Sequence, residues 1–200
     1  MDLFQNPDEN LLPQDGTLLD FGCIYSVQES QRLFDELLAS ANWKNDEVTL
    51  FGKKHITARK TAWYGTKDFA YTYSNSTRFA EPFTGELLSI KDKVEDHLKE
   101  SFNSCLLNLY HDGNEGMGYH ADDEKDLVRH GSIASLSFGA TRKFVFKHNT
   151  EPLKKELILH PGQLILMKDE IQDFWKHALP KSKKVKAPRI NLTFRNIRTN

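Results

Sequence analysis

Apolar residues recur every three or four positions in two early stretches of the chain and roughly every second position through most of the rest. Leu33, Phe34, Leu37, Leu38 and Ala41 keep helical spacing behind Ser26 and Glu29, a Ser-x-x-Glu pair that predicts a capping box and a core-facing helix. Phe83, Leu87, Val94 and Leu98 fall on one face of a second predicted helix, opened by Pro82. Leu18 to Tyr25 predicts a short strand, and Trp43 to Lys54 predicts a hairpin with Val48, Leu50 and Gly52 near its tip. Arg59 to Ser74, rich in Thr, Trp and Tyr, reads as strand, turn at Gly65, strand. Further strands are predicted over 105–110, 132–138, 142–148, 156–160, 163–167, 173–178 and 189–196. Two helices followed by many short strands predict an α+β domain built on a jelly-roll sandwich.

Composition narrows this little. A chain of 200 residues with 38% hydrophobic and 28% charged residues is one soluble globular domain of ordinary size. No linker, repeat or low-complexity tract divides it, so residues 21–200 are expected to form a single domain. Residues 1–20 contain Pro7, Pro13, Gly16 and five acidic side chains without a Lys or Arg, and read as a loose acidic arm. The net charge of −1 therefore hides a positive remainder, clustered at Lys53-Lys54-His55, Arg59-Lys60, Lys181 to Lys186, and Arg195 with Arg198. Cys23 and Cys105 form no metal or redox spacing, which fits a reducing compartment. No run reaches the length of a membrane helix and no basic-then-apolar leader opens the chain. The expectation is an intracellular monomer with no membrane partner.

The chemistry concentrates between Leu106 and His148. A short apolar strand carries Asn108 and Tyr110, a loop through Gly113, Gly116 and Gly118 follows, and the loop delivers His120 and Asp122. A His and an Asp two apart at the mouth of a strand can bind one metal ion. Two His and one carboxylate on one face suit non-haem Fe(II), since three coordination positions stay open. Candidates for the second His are His130, His148, His160 and His177. His148 and His160 sit at strand ends or turns, where a surface His needs no special explanation. Arg189, twelve residues after His177, favours His177: alternation puts Arg189, Asn191, Thr193 and Arg195 on one strand face and Ile190, Leu192 and Phe194 on the other. Two arginines facing into a sandwich are costly without anions, and a dicarboxylate co-substrate would supply them.

Asn108-x-Tyr110, His120-x-Asp122, His177 and Arg189-x-Asn191-x-Thr193-Phe194-Arg195 together resemble the signature of the AlkB family of Fe(II)- and 2-oxoglutarate-dependent dioxygenases. The resemblance covers roughly residues 45–198. Within the family, Ile133 to Ala140, Phe144-Val145-Phe146 and Ala187-Pro188-Arg189 are most similar to the branch that repairs double-stranded DNA. The resemblance implies a double-stranded β-helix core over 105–198 with a nucleotide-recognition region over 45–80.

It further implies that His120, Asp122 and His177 hold Fe(II), and that Arg189 pairs with the distal carboxylate of 2-oxoglutarate. Asn108 and Tyr110 would hydrogen-bond the co-substrate, Arg195 would lie near its metal-bound end, and Asn191 and Thr193 share that face. With O2 such an enzyme hydroxylates the N-methyl group of 1-methyladenine or 3-methylcytosine in DNA and releases formaldehyde. The resemblance places Tyr73, in Tyr71-Thr72-Tyr73-Ser74, against the flipped base, and Glu124 at its exocyclic amine. Arg59 and Lys60 would line the DNA side, although Ala58 replaces the family's proline there. Leu50-Phe51-Gly52-Lys53 resembles a finger that fills the gap left by the base. Lys183 and Lys184, in Lys181-Ser182-Lys183-Lys184, resemble a loop gripping the opposite strand, with Ser182 in place of an arginine. Rival expectations are an RNA or protein N-demethylase of the same chemistry, or a non-catalytic nucleic-acid-binding module.

Overall fold

A computed structural model describes residues 6–50, 53–73 and 76–198, with side chains described outside 46–55 and 70–78. In chain order the elements are β1 (Thr17–Cys23), α1 (Val27–Ser40), β2 (Lys44–Leu50), β3 (Lys53–Gly65), β4 (Ala70–Tyr73), β5 (Ser76–Phe79), β6 (Glu81–Pro82) and α2 (Gly85–Leu98). They continue as β7 (Ser104–Tyr110), β8 (Met117–His120), β9 (Ile133–Gly139), β10 (Arg142–His148), β11 (Lys154–Leu159), β12 (Gln163–Lys168), α3 (Ile171–Phe174), β13 (Trp175–Leu179) and β14 (Arg189–Arg195). The larger sheet runs β1-β12-β9-β14-β7-β3-β2, with β6 beside β3. The smaller runs β11-β10-β13-β8, and the two face each other as the jelly-roll expected from the run of short strands.

Alternation along the strands explains the two cores. Ile190, Leu192 and Phe194 of β14, Leu107 and Leu109 of β7, and Leu136 and Phe138 of β9 point outward from the sandwich and are buried under the helices. Leu33, Phe34 and Leu37 of α1 and Leu87, Ile90 and Val94 of α2 cover them, as the helical spacing predicts. Ser26 closes its capping box on Glu29: the Glu29 amide donates to Ser26 Oγ at 3.2 Å and the Ser26 amide donates to the Glu29 carboxylate at 3.0 Å. Between the sheets a second cluster gathers Ile133, Phe144, Phe146, Leu159, Ile165, Met167 and Trp175.

Three local expectations differ. Pro82 does not open α2. It pairs with Gly65 in β6, and Thr84 is the N-cap. The Gly-rich segment after Tyr110 contains a strand, β8, whose four residues are ordered by pairing with β13 rather than by a hydrophobic alternation of their own. Part of the acidic arm belongs to the fold. Thr17 to Cys23 form β1 on the edge of the larger sheet, and Leu12 and Leu18 are buried in the inner cluster. Asn10 Oδ1 accepts from the amides of Leu12 and Leu18, Trp175 Nε1 donates to Gln14 O at 3.2 Å, and Asp15 meets His148 Nε2 at 3.0 Å. Trp175 and His148 lie far along the chain, so no local signal announces them. No helix among the described residues is long and apolar enough to cross a membrane.

Leu136 is fully buried on β9, between β12 and β14. Leu136→Ala is expected to lower unfolding free energy by about 2–5 kcal/mol in urea titration. Lys143→Ala removes only an exposed pair with Glu156 and is expected to change it by less than about 1 kcal/mol. Equal losses in the two variants would contradict this account of the core.

Candidate active site

Strand register assembles the site. On β14, Arg189 lies opposite Tyr110 of β7 and Asn191 opposite Asn108, so the polar faces of two neighbouring strands coincide. In the smaller sheet His177 of β13 lies opposite His120 of β8 on one side and Phe146 of β10 on the other. Both polar sets open into one cleft of about 890 Å³ at the end of the sandwich. Asn108, Tyr110, His120, Asp122, Glu124, His177, Arg189, Asn191, Thr193 and Arg195 all line it.

His120, Asp122 and His177 converge, with one ligand atom of each within 4.8 Å of the others. His120 Nδ1–H donates to Gly118 O at 2.8 Å, which fixes the tautomer and leaves Nε2 as an acceptor 3.8 Å from Asp122 Oδ1. His177 Nε2 lies 4.0 Å from the same oxygen, and its ring packs against Phe144 and Phe146. Burial pushes the His177 imidazole down to about 4, with Asp122 pulling the other way, so the ring is neutral near pH 7. Burial alone would raise Asp122, but Arg195, His177 and His120 outweigh it and hold the carboxyl below its ordinary range. Two imidazoles and an ionised carboxylate form a donor set that fits a divalent metal. The amide of Asp122 is anchored by donation to Gln172 Oε1 at 2.9 Å.

The rival histidines are engaged elsewhere. His148 is buried against Asp15 and Trp175, His130 meets Asp173 at 2.8 Å, and His160 faces Thr141.

Arg189 is 1% exposed and has no carboxylate partner among the described residues. Its Nη2 donates to Ser137 Oγ at 2.9 Å and to Asn191 Oδ1 at 3.3 Å, while its Nε has no hydrogen-bond partner. Burial lowers the guanidinium to about 10, Tyr110 opposes the shift and Arg142 adds to it. An unpaired buried cation at the base of a cleft fits an incoming carboxylate. Asn191 spends its amide on Ser135 Oγ, Leu136 O and Leu192 O, so it orients Arg189. Arg195 stands 3.9 Å from Asp122 and 3.6 Å from Glu124.

Other expected residues fall differently. Arg59 lines the cleft but is buried, and its Nη1 donates to Asn108 Oδ1 at 2.7 Å, leaving the Asn108 amide nitrogen for a ligand. Lys60 does not line the cleft, and Lys183 and Lys184 are exposed on the loop after β13. Phe51 and Ser74, and the side chains of Tyr71 and Tyr73, lie outside the described residues. Gln172, Ser135 and Ser137 complete the site and were not singled out from sequence, because a polar residue beside an apolar run carries no mark of its distant partner.

The chain matches the model of the 2OG-Fe(II) oxygenase superfamily over residues 18–195. It is 35% identical over 204 residues to DNA oxidative demethylase ALKBH2 of Mus musculus, covering 96% of this chain and 85% of that protein. It is 38% identical over 190 residues to the Homo sapiens protein of the same name, covering 88% and 73%. Similarity extends to alpha-ketoglutarate-dependent dioxygenase alkB homolog 3 of Bos taurus, 36% identical over 186 residues, covering 86% and 63%. The solved structure of OsALKBH1 shares the fold with a TM-score of 0.63 at 16% identity, covering 92% of this chain and 98% of that one. Register, donor set and likeness over nearly the whole chain agree: this chain belongs to the AlkB branch of the 2OG-Fe(II) oxygenase superfamily.

Proposed function

We propose that this enzyme, an Fe(II)- and 2-oxoglutarate-dependent dioxygenase, is an oxidative demethylase of N-alkylated bases in DNA. One observation carries the reading. The His120, Asp122 and His177 donors and the unpaired Arg189 guanidinium open into the same cleft, a metal site beside a carboxylate site. The relatives named DNA oxidative demethylase, at 35–38% identity, favour a DNA base over a protein side chain as substrate.

His120 Nε2, an Asp122 oxygen and His177 Nε2 would hold Fe(II), and Arg189 would take the distal carboxylate of 2-oxoglutarate in a two-pronged pair. The Asn108 amide and the Tyr110 hydroxyl would orient the co-substrate. Fe(II) and 2-oxoglutarate held there would, with O2, supply the oxidation needed to hydroxylate an N-methyl carbon, and the base would then shed formaldehyde. Arg195 holds Asp122 and Glu124 together, so the lesion's side of the cleft presents carboxylate oxygen. 1-Methyladenine and 3-methylcytosine are cationic and pair poorly, which favours both flipping and that anionic wall. Duplex capability rests on the likeness of the segment around Phe51 to a gap-filling finger, and Lys183 and Lys184 would grip the opposite strand.

Three experiments test the reading. His177→Ala is expected to abolish demethylation and stoichiometric binding of Mn(II), with the circular dichroism spectrum retained; full activity would move the third ligand elsewhere. Arg189→Lys keeps the charge but loses the planar fork, so the apparent affinity for 2-oxoglutarate should fall by about tenfold or more. Unchanged affinity together with lost DNA binding would make Arg189 a phosphate contact instead. Phe51→Ala, assayed on one lesion in single-stranded and duplex oligonucleotides, is expected to lose duplex turnover selectively, because unstacking costs a few kcal/mol when nothing fills the gap. Equal losses on both substrates with a lowered melting temperature would assign Phe51 to the fold.

A further inference from the structure

Arg142 on β10 is 2% exposed, and no role in the site has yet been given to it. Its Nη1 donates to Asp112 O at 3.3 Å, and its Nη2 donates to Glu115 O and Pro180 O, both at 2.9 Å. Asp112 and Glu115 lie in the loop from β7 to β8, between Tyr110 and His120. Pro180 directly follows β13, the strand of His177. One guanidinium therefore ties the strand ends of both site histidines and of Tyr110 together. The backbone at this seam is in close contact. The Gly113 amide donates to Val185 O at 3.0 Å and the Ser182 amide to Gly113 O at 2.7 Å. A Cβ on Gly113 would collide with Ser182 O, and one on Gly116 with Leu179 O.

Arg142 also bears on the co-substrate side. Tyr110 has two cations over its ring, the Arg142 guanidinium carbon 6.0 Å and that of Arg189 5.8 Å from the ring centre. Among the described residues neither guanidinium has a carboxylate partner, and the Nε of each lacks a hydrogen bond. Burial lowers both from the ordinary arginine range; at Arg142 the nearby Tyr110, Asp112 and Glu115 pull the other way, and the charge of Arg142 adds to the lowering at Arg189. A purely mechanical strut for three carbonyls would not need a second buried positive charge beside an unpaired first one. An arriving carboxylate at Arg189 would offset that charge, and it would lie in the field of Arg142 across the Tyr110 ring.

We propose that Arg142 is a positioning residue of the co-substrate pocket: it fixes Tyr110 and the loop before His120, and its charge strengthens the capture of the distal carboxylate at Arg189. This rests on the reading that Arg189 receives that carboxylate. The test is calorimetric binding of two ligands to the Mn(II)-loaded full chain: 2-oxoglutarate, and 2-oxopentanoate, which has a methyl group where the distal carboxylate stands. Arg142→Met is expected to weaken 2-oxoglutarate about tenfold while leaving 2-oxopentanoate within about twofold, the size of effect of a charged contact. Arg142→Lys, which keeps the charge but cannot span three carbonyls, is expected to lose about threefold for 2-oxoglutarate and so to rescue part of the Met defect. Unchanged 2-oxoglutarate binding, or equal losses for both ligands, would overturn the proposal and leave Arg142 a strut. Should the Met variant fail to fold, the Lys variant decides by the same ratio of the two ligands. Arg189→Met separates the two readings. If it keeps the wild-type preference for 2-oxoglutarate, the assignment of Arg189 fails. If it loses that preference and the Arg142 variants keep it, only the inference about Arg142 fails.

Discussion

Strand β14 carries opposite chemistry on its two faces, and most of the molecule is arranged to tolerate that. Ile190, Leu192 and Phe194 are fully buried beneath α1 and α2, while Arg189, Asn191 and Arg195 are buried on the side of the smaller sheet. Registry with β7 and β9 holds the strand in place along its whole length. A one-residue slip would exchange the faces, putting guanidiniums under the helices and phenylalanine in the cleft. The apolar face therefore specifies the register, and the register delivers the polar row to the site. The stability of the core and the geometry of the chemistry are set by the same pairing.

Desolvation then shapes the reactivity of what the register has placed. Burial keeps the His177 ring neutral and leaves Arg189 a cation without a carboxylate among the described residues, while Arg195 is the largest of the charges that hold Asp122 ionised. Each group is held in the protonation state that a metal ligand or a carboxylate receptor requires. The supporting contacts come from elements that carry no ligand themselves: Gln172 of α3 on the Asp122 amide, Ser137 of β9 on Arg189, Arg142 of β10 on the loop before His120. Phe144 and Phe146 pack against the His177 ring, and Arg59, Thr61 and Trp63 of β3 line the cleft together with Glu124.

Much of this was readable in the chain. The alternation over 189–195, the helical spacing behind Ser26 and the run of short strands lead to the sandwich with its flanking helices, because periods of 2 and 3.6 report directly which face is buried. His120-x-Asp122 and the polar face of β14 were equally legible, since residues two apart on a strand necessarily share a side. Local pattern also misplaced some features. Pro82 looked like a helix start, yet its neighbour in space, Gly65, drew it into a bridge. Residues 1–20 looked like a loose arm, yet His148 and Trp175 bind Asp15 and Gln14 down.

The sequence by itself determined the periodicities, the identity of the ligand-type residues and the family likeness, all of which are local or compositional properties. The chain pattern favoured His177, and the tertiary structure decided the contact itself, bringing His177 to 4.0 Å from Asp122 while His148 meets Asp15. The tertiary structure alone gave β8 its strand form, tied the Asn191 amide to Ser135 and Leu136, and set Arg142 across three carbonyls. The strand pairing of β8, the Ser135 and Leu136 partners of Asn191 and the carbonyls at Arg142 all lie tens of residues away, and such pairings are fixed when whole faces are buried together.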